Sequence, residues 1–227
     1  MPYRRTEGVA ARLADKRTRI LDAARGLVAE GGWAETQVAS VASAAGLATG
    51  TVYRYFASKA ELFAEVLARV SQREVDVLGA IADSATCPRD GLHGAVRTFV
   101  KRAMRNRRLA YALIAEPCEP EIDAARLTYR HAISQQILTL VRAGQREGIF
   151  RSGLQAEVAA TVIVGGFMEA LVGPLSPLAP EYGSKIERDP SAVQQLADEI
   201  ADLCCACVEI HASGNVIPLK SSRRKSA

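Results

Sequence analysis

One fifteen-residue stretch, Val38-Ala39-Ser40-Val41-Ala42-Ser43-Ala44-Ala45-Gly46-Leu47-Ala48-Thr49-Gly50-Thr51-Val52, constrains the fold more than any other. Two helices that cross steeply through a tight turn need a tiny residue at the crossing. They also need a residue that tolerates positive φ just beyond the first helix, and an apolar residue reaching back from the second. Ala42, Gly46 and Val52 stand at those three places, and Leu47 and Phe56 complete the plug. The spacing predicts a helix-turn-helix.

The second of these helices is built from poor helix formers. Thr49, Gly50, Thr51, Val52, Tyr53 and Tyr55 fall within seven positions, where alanine and leucine would fold better. An outward docking face explains the choice. Thr49, Gly50 and Tyr53 lie on one side, flanked by Thr51 and Tyr55 at i, i+4. Short side chains let the helix backbone approach a major groove, hydroxyls reach phosphates, and threonine methyls pack on thymine methyls. The tyrosines could instead pack between helices, and Arg54 could reach phosphate or face solvent.

Helical periodicity runs through the rest. From Lys16 a stripe of Ile20, Ala24, Leu27 and Val28 leads to a stop at Gly31-Gly32. Thr36 can cap a short helix whose Val38, Val41, Ala42 and Ala45 face inward. Ser58 and Glu61 form a capping-box pattern before the stripe Leu62, Phe63, Val66, Leu67 and Val70. Further helices are expected over 92–104, 121–147, 154–173 and 191–211, with Glu116-Pro117 and Glu119-Pro120 marking a corner. Alanine abounds and strand-type alternation is hard to find, so the fold class is all-α. The expected division is a flexible arm (1–15), a helix-turn-helix head (16–68), a larger helical body (69–212) and a disordered basic tail (213–227).

The charge argument is positional. The net charge is +4 with 29 Lys/Arg against 25 Asp/Glu. Lys220, Arg223, Arg224 and Lys225 in the tail account for all of it. A case for nucleic acid therefore rests on where charges sit. The five cysteines, Cys87, Cys118, Cys204, Cys205 and Cys207, are odd in number and lack CxxC spacing, which favours a reducing cytoplasm. Cys204, Cys207 and His211 could share one helix face, but free cysteine is mostly a small buried hydrophobe, and no metal site is assigned. No basic n-region precedes an apolar h-region, so no secretory signal is expected. The segment from Val158 to Leu175 comes nearest to a membrane span, but Glu169, Gly165-Gly166 and Pro174 interrupt it, and a buried helix is the reading taken.

At this point a resemblance can be stated. AAGLATGTVYRYFASKAELF resembles the recognition-helix signature of the TetR/AcrR family of bacterial transcriptional regulators, and RILDAARGLVAEGGWAETQVASVASAAG resembles that family's first two helices. The match covers roughly residues 16–68. Ala48 stands where the family commonly has a capping serine, and Gln37 where a second threonine is common. The resemblance implies a head in which Thr36 and Gln37 meet the DNA backbone. Thr49, Gly50 and Thr51 would approach base edges, while Tyr53, Tyr55 and Lys59 clamp phosphates, with Arg54 as an added charge.

The resemblance further implies a ligand-responsive homodimer that represses by occupying a quasi-palindromic double-stranded operator. A small-molecule effector binding in the body would release it. No cofactor is expected. The apolar segment VAATVIVGGFMEALVG independently needs a partner surface. Val162, Gly165, Gly166, Leu203 and Cys207 are the expected dimer contacts. For the effector, Arg126, Tyr129 and Arg130 on the stripe Ile122 to Val141, together with Glu169, suit an amphipathic anion such as a fatty acid or acyl thioester. Alternatively Arg126 and Arg130 pair with Glu116, Glu119, Glu121 or Asp123, and Glu169 serves as a buried partner for an arginine or its dimer mate. Two rivals stand against the switchable repressor. One is an effector-independent DNA-binding dimer. The other is a helical cysteine hydrolase using Cys118 with His131 or His93.

Overall fold

A computed structural model describes residues 3–178 and 189–210. Within them the chain forms nine helices: α1 (Tyr3–Glu35), α2 (Val38–Ala44), α3 (Thr49–Val52), α4 (Lys59–Ser84), α5 (Pro88–Arg105), α6 (Arg107–Ile114), α7 (Pro120–Arg146), α8 (Ala156–Leu175) and α9 (Pro190–Ala206). The tail from residue 211, including His211, lies outside the described residues, as does the stretch 179–188.

Local chemistry sets most boundaries. Ser58 caps α4 by accepting from the Glu61 amide at 3.0 Å, and Glu61 reaches back to the Ala57 amide at 2.6 Å. The return bond therefore lands one residue earlier than a strict capping box. Asn106 caps α6 by accepting from the Leu109 amide at 3.2 Å. Prolines open α5, α7 and α9, where a missing N–H costs nothing. Gly148, at φ 71°, closes the turn after α7.

Two apolar cores share α4. Its first half supplies Leu62, Phe63, Val66 and Leu67 to a core with Ile20, Ala24, Val28, Val41, Ala42, Val52 and Phe56. Its second half gives Val75 and Leu78 to a larger core built from α5, α7, α8 and α9. Burying one such large side chain is worth about 1.5–3 kcal/mol, so each core of a dozen or more outweighs any single surface contact. The smaller core does not stop at the end of the expected head. Leu109 and Ala112 of α6 and Ile122 of α7 belong to it. Ile122, placed on the effector stripe by periodicity, thus packs beneath the head.

Three expectations need correction. The arm over 1–15 is helical from Tyr3 and continues into α1 without a break, because alanine, arginine and leucine favour helix and no proline intervenes. Residues 10–16 project from the fold exposed to solvent. A whole helix, α6, was hidden between a basic run and an acidic corner. And the stop at Gly31-Gly32 is an internal kink, with helix resuming to Glu35.

That kink is the tightest point of the molecule. Gly32 sits at φ 81°, ψ −170°, a region open essentially to glycine alone. A β-carbon there would meet Arg108 Nη2 at 1.6 Å. Arg108 forks onto Glu116 at 2.9 and 2.8 Å and also donates to the Gly31 carbonyl at 2.6 Å. Glu116, 8% exposed, accepts from the Trp33 amide at 3.2 Å, while the Trp33 indole donates to the Ala112 carbonyl at 2.7 Å. Trp33 packs on Phe63 with ring centroids 5.3 Å apart. Gly32→Ala should therefore destabilise the fold by about 3 kcal/mol through strain and the displaced guanidinium. Urea unfolding checks this, and an unchanged midpoint would refute the account of the kink.

Candidate nucleic-acid interface and body cavity

The exposed face of α3 is positioned by what lies beneath it. α2 ends at Ala45, and Gly46 takes φ 66°. The Leu47 amide then bonds the Ala42 carbonyl at 2.9 Å and the Gly46 amide the Ser43 carbonyl at 3.0 Å, the paired bonds of a left-handed helix stop. Arg19 donates to the Ala45 carbonyl at 2.6 Å, covering another helix-end acceptor. Val52 and Phe56 are buried to about 1% exposure, and Leu47 is half-buried. The helix-turn-helix lock of Ala42, Gly46 and Val52 is therefore present. α3 itself is only Thr49–Val52, continued through Phe56 by turns in which Arg54 bonds Thr51 at 3.1 Å and Tyr55 bonds Val52 at 2.9 Å. Ala48 leaves its N-terminus without a side-chain cap, in keeping with the missing serine.

On this lock Gln37, Thr49, Gly50, Tyr53 and Arg54 stand exposed, Tyr53 at 50%. A β-carbon at Gly50 would meet nothing within 4 Å, so the space above it is open for a close approach. Thr51 is half-exposed, and Tyr55 packs partly on the head core. Lys59, in the first turn of α4, holds its ammonium 5.4 Å from the Phe63 ring centre.

Thr36 is the exception. It is 3% exposed, and its hydroxyl donates to the Gly32 carbonyl at 2.6 Å. It neither caps α2, whose N-cap is Gln37, nor faces outward. The expected phosphate contact at Thr36 is corrected: the kink leaves the Gly32 carbonyl unpaired within the helix, and the threonine hydroxyl supplies the missing donor.

The body holds a cavity of about 270 Å³ between α4, α5, α6, α7 and α8, opening toward α1. Arg126, Tyr129 and Arg130 line it, as expected from their stripe. Arg126 is largely committed elsewhere. It donates to the Leu113 and Glu116 carbonyls at 3.0 and 2.7 Å and to Asp123 at 2.9 Å, closing the C-terminal end of α6. The alternative reading of Arg126 as a structural partner of nearby groups thus holds, with helix-end carbonyls doing more than carboxylates. Arg130 donates to the Ile114 carbonyl at 3.0 Å, and its buried Nε has no partner.

Glu169 is corrected. It is exposed on the outer face of α8, remote from the cavity wall, because the inward positions of that helix fall to Ile163, Val164, Phe167, Met168 and Leu171. Sequence reasoning also missed Arg25, Arg73, Arg102 and Arg105 on the cavity wall. They come from three helices, and no periodicity within one helix connects them.

The expected dimer contacts share one surface. Val162 is 57% and Leu203 69% exposed, Gly165, Gly166 and Cys207 are exposed, and Val162 and Cys207 line one groove. α8 is long and apolar enough to cross a membrane by length and composition, yet its other face is buried in the body core.

The cysteine-hydrolase arrangement is not assembled. Cys118 Sγ lies 3.2 Å from Arg126 Nη2, His93 faces Asp202 at 3.4 Å, and His131 lies 3.3 Å from the Gln135 amide nitrogen. Burial raises the Cys118 thiol pKa above its ordinary value, with the Arg126 charge opposing.

An exposed helix-turn-helix on an all-α body with an internal cavity defines a nucleic-acid-binding class of protein. Residues 20–66 match the tetR family of bacterial regulatory proteins. Over 59 residues the chain is 46% identical to the HTH-type transcriptional repressor KstR of Rhodococcus jostii (strain RHA1), a match covering 26% of this chain and 28% of that protein. The chain thus spans little more than a quarter of the length of that relative. A longer match, 29% identical over 148 residues, covers 63% of this chain and 72% of KstR2 from the same organism. Among solved structures, FadR from Bacillus subtilis in complex with stearoyl-CoA superposes with a TM-score of 0.70 at 18% identity, covering 86% of this chain and 99% of that one. At that identity the likeness is one of fold. The chain belongs to the tetR family.

With its pKa raised, Cys118 should react with iodoacetamide at neutral pH more slowly than free cysteine. Mass spectrometry of timed samples checks this, and faster-than-free labelling would revive the nucleophile reading.

Proposed function

We propose that this protein is a cytoplasmic, dimeric transcriptional repressor whose head binds operator DNA and whose body cavity receives a small-molecule effector. The observation that carries the proposal is the free Thr49–Tyr53 face, held outward by the Gly46 turn and the Val52–Phe56 plug. Family membership agrees with it, as do the repressors KstR and KstR2 among its relatives.

In this reading Gln37 contacts the DNA backbone from the start of α2, where helix amides favour phosphate. Thr49, Gly50 and Thr51 meet base edges, and Tyr53, Arg54, Tyr55 and Lys59 hold phosphates on either side. The Phe63 ring beneath Lys59 steadies the ammonium at the surface without neutralising it. Two heads joined through a two-fold α8–α9 face would place their α3 helices about one DNA turn, ~34–36 Å, apart. The exposed Val162, Gly165, Gly166 and Leu203 suit a four-helix contact, because the two glycines let backbones approach closely. A cavity lined by apolar groups with a few arginines and Tyr129 suits an amphipathic anion. The stearoyl-CoA held by the Bacillus subtilis FadR is of that kind.

Two measurements test the head. Tyr53→Phe should weaken operator binding about threefold to tenfold by removing one hydroxyl contact to a charged oxygen. Lys59→Ala should weaken all DNA sequences alike and make the log–log salt dependence shallower by about one unit. Undiminished affinity in the first, or altered base preference in the second, would overturn those assignments. The dimer is tested by Val162→Asp, which should give monomers on sedimentation and lose tight operator binding. A persistent dimer would place the interface elsewhere.

A further inference from the structure

Resting on the reading of the body cavity as an effector site, we propose that it recognises its ligand by two chemically different ends. An apolar acyl body would fill the interior, and a phosphate-bearing carrier would lie at the mouth against Arg25, Arg73 and Arg105. The effector class is then a thioester of a phosphorylated carrier, not the free acid.

The cavity wall is graded from one chemistry to another. Its depth is formed by buried Phe99, Ala110, Ile114, Ile133 and Met168. Half-buried Tyr129 and Arg130 come next, the latter with a buried Nε lacking any acceptor. The outer wall carries exposed Arg25 of α1, Arg73 of α4 and Arg105 of α5. Of the six arginines lining the cavity, two are neutralised or consumed within the fold. Arg102 is gripped by Glu74 through bonds of 2.7 and 2.8 Å, which raises its pKa further, and Glu74 is the one acidic residue lining the cavity. Arg126 closes α6 and pairs with Asp123.

Arg25, Arg73 and Arg105 make no ion pair among the described residues. Asp22, one turn before Arg25, is held by Arg69 at 3.2 Å. Arg25 and Arg73 also line one shallow cleft together with Val66 and Val70, so the two side chains share the α1–α4 seam.

Exposed arginines are ordinary when scattered. Three that converge from separate helices on the opening of an apolar cavity, with the nearby carboxylate already paired, leave a concentrated positive potential with no internal counter-charge. A single carboxylate needs one cation, and Arg130 with its unpartnered Nε suffices for it or for a thioester carbonyl. Three further guanidiniums match an anion with several phosphate oxygens, which planar arginine forks bind through paired hydrogen bonds. The interior volume, near the lower end of the ~300–1,000 Å³ typical of ligand sites, suits a medium-length acyl group and leaves the carrier outside. Because Arg25 belongs to α1 and Arg73 and Arg105 to the helices behind it, the carrier would bridge the head and the body.

Isothermal titration of the full-length protein with decanoyl-coenzyme A, decanoate and coenzyme A tests this, with operator affinity measured on the same preparation. Decanoyl-coenzyme A should bind at least about tenfold more tightly than either half alone, with an affinity that falls as salt rises. The double variant Arg73→Ala, Arg105→Ala should collapse the ratio of thioester to acid affinity, by about tenfold for each arginine, and Arg73→Lys, Arg105→Lys should restore part of it. Equal binding of thioester and acid, coenzyme A binding as well as its thioester, absence of binding by the thioester, or a ratio unchanged in the variant would each overturn the proposal. A wild-type protein that bound no operator would instead remove the regulator reading itself.

Discussion

The Glu116 carboxylate is the interaction on which the rest of the structure depends. It receives the Arg108 fork and the Trp33 amide, and Arg108 in turn ties the Gly31 carbonyl to α6. A carboxylate this buried is tolerable only because every one of its partners is in place; removing one would leave a desolvated charge unpaired. The arrangement requires the chain to bend at Gly32, and the bend needs glycine because a guanidinium occupies the space a side chain would take. The Thr36 hydroxyl then completes the bonding of the bent segment. The head is thereby fixed to the body through polar bonds at one point and through Trp33, Phe63, Leu109 and Ala112 around it.

This junction places α6 between two surfaces. One side closes the head core; the other, through Ala110, Leu113 and Ile114, forms part of the cavity wall. Arg126 and Arg130 bond the last carbonyls of α6, so the helix end is held by the same side chains that border the cavity. α4 spans both cores from the other direction, with Lys59 at its outer end and Arg73 and Glu74 at the cavity. A ligand in the cavity would therefore touch two elements that reach the nucleic-acid face. The physical route for a change in head spacing is a pair of rigid helices rather than a loop.

Much of this was legible in the residues. Gly46, Val52 and Phe56 announced the turn and its plug because backbone conformation and burial at those places have few solutions. The α4 stripe, the Ser58 cap and the apolar α8 could be read because they are local or periodic. Other features were not. Thr36 reads as a cap until the Gly32 carbonyl claims its hydroxyl. Glu169 reads as a buried charge until the helix is rotated to its packed orientation, which the nearly uniform hydrophobicity of α8 does not specify. α6 was masked by the charges on either side of it, although Asn106 gave a capping signal.

By itself the sequence determined an all-α chain, a locked pair of short helices and a polar, small-residue face upon them. These follow from steric and periodic constraints that act over a few residues. Only the tertiary structure decided which charges meet. The Arg108–Glu116–Trp33 knot and the convergence of Arg25, Arg73 and Arg105 on one opening join residues between 8 and 83 positions apart. Electrostatic neighbours across helices are set by packing of the apolar faces beneath them, and a linear pattern carries no record of that contact.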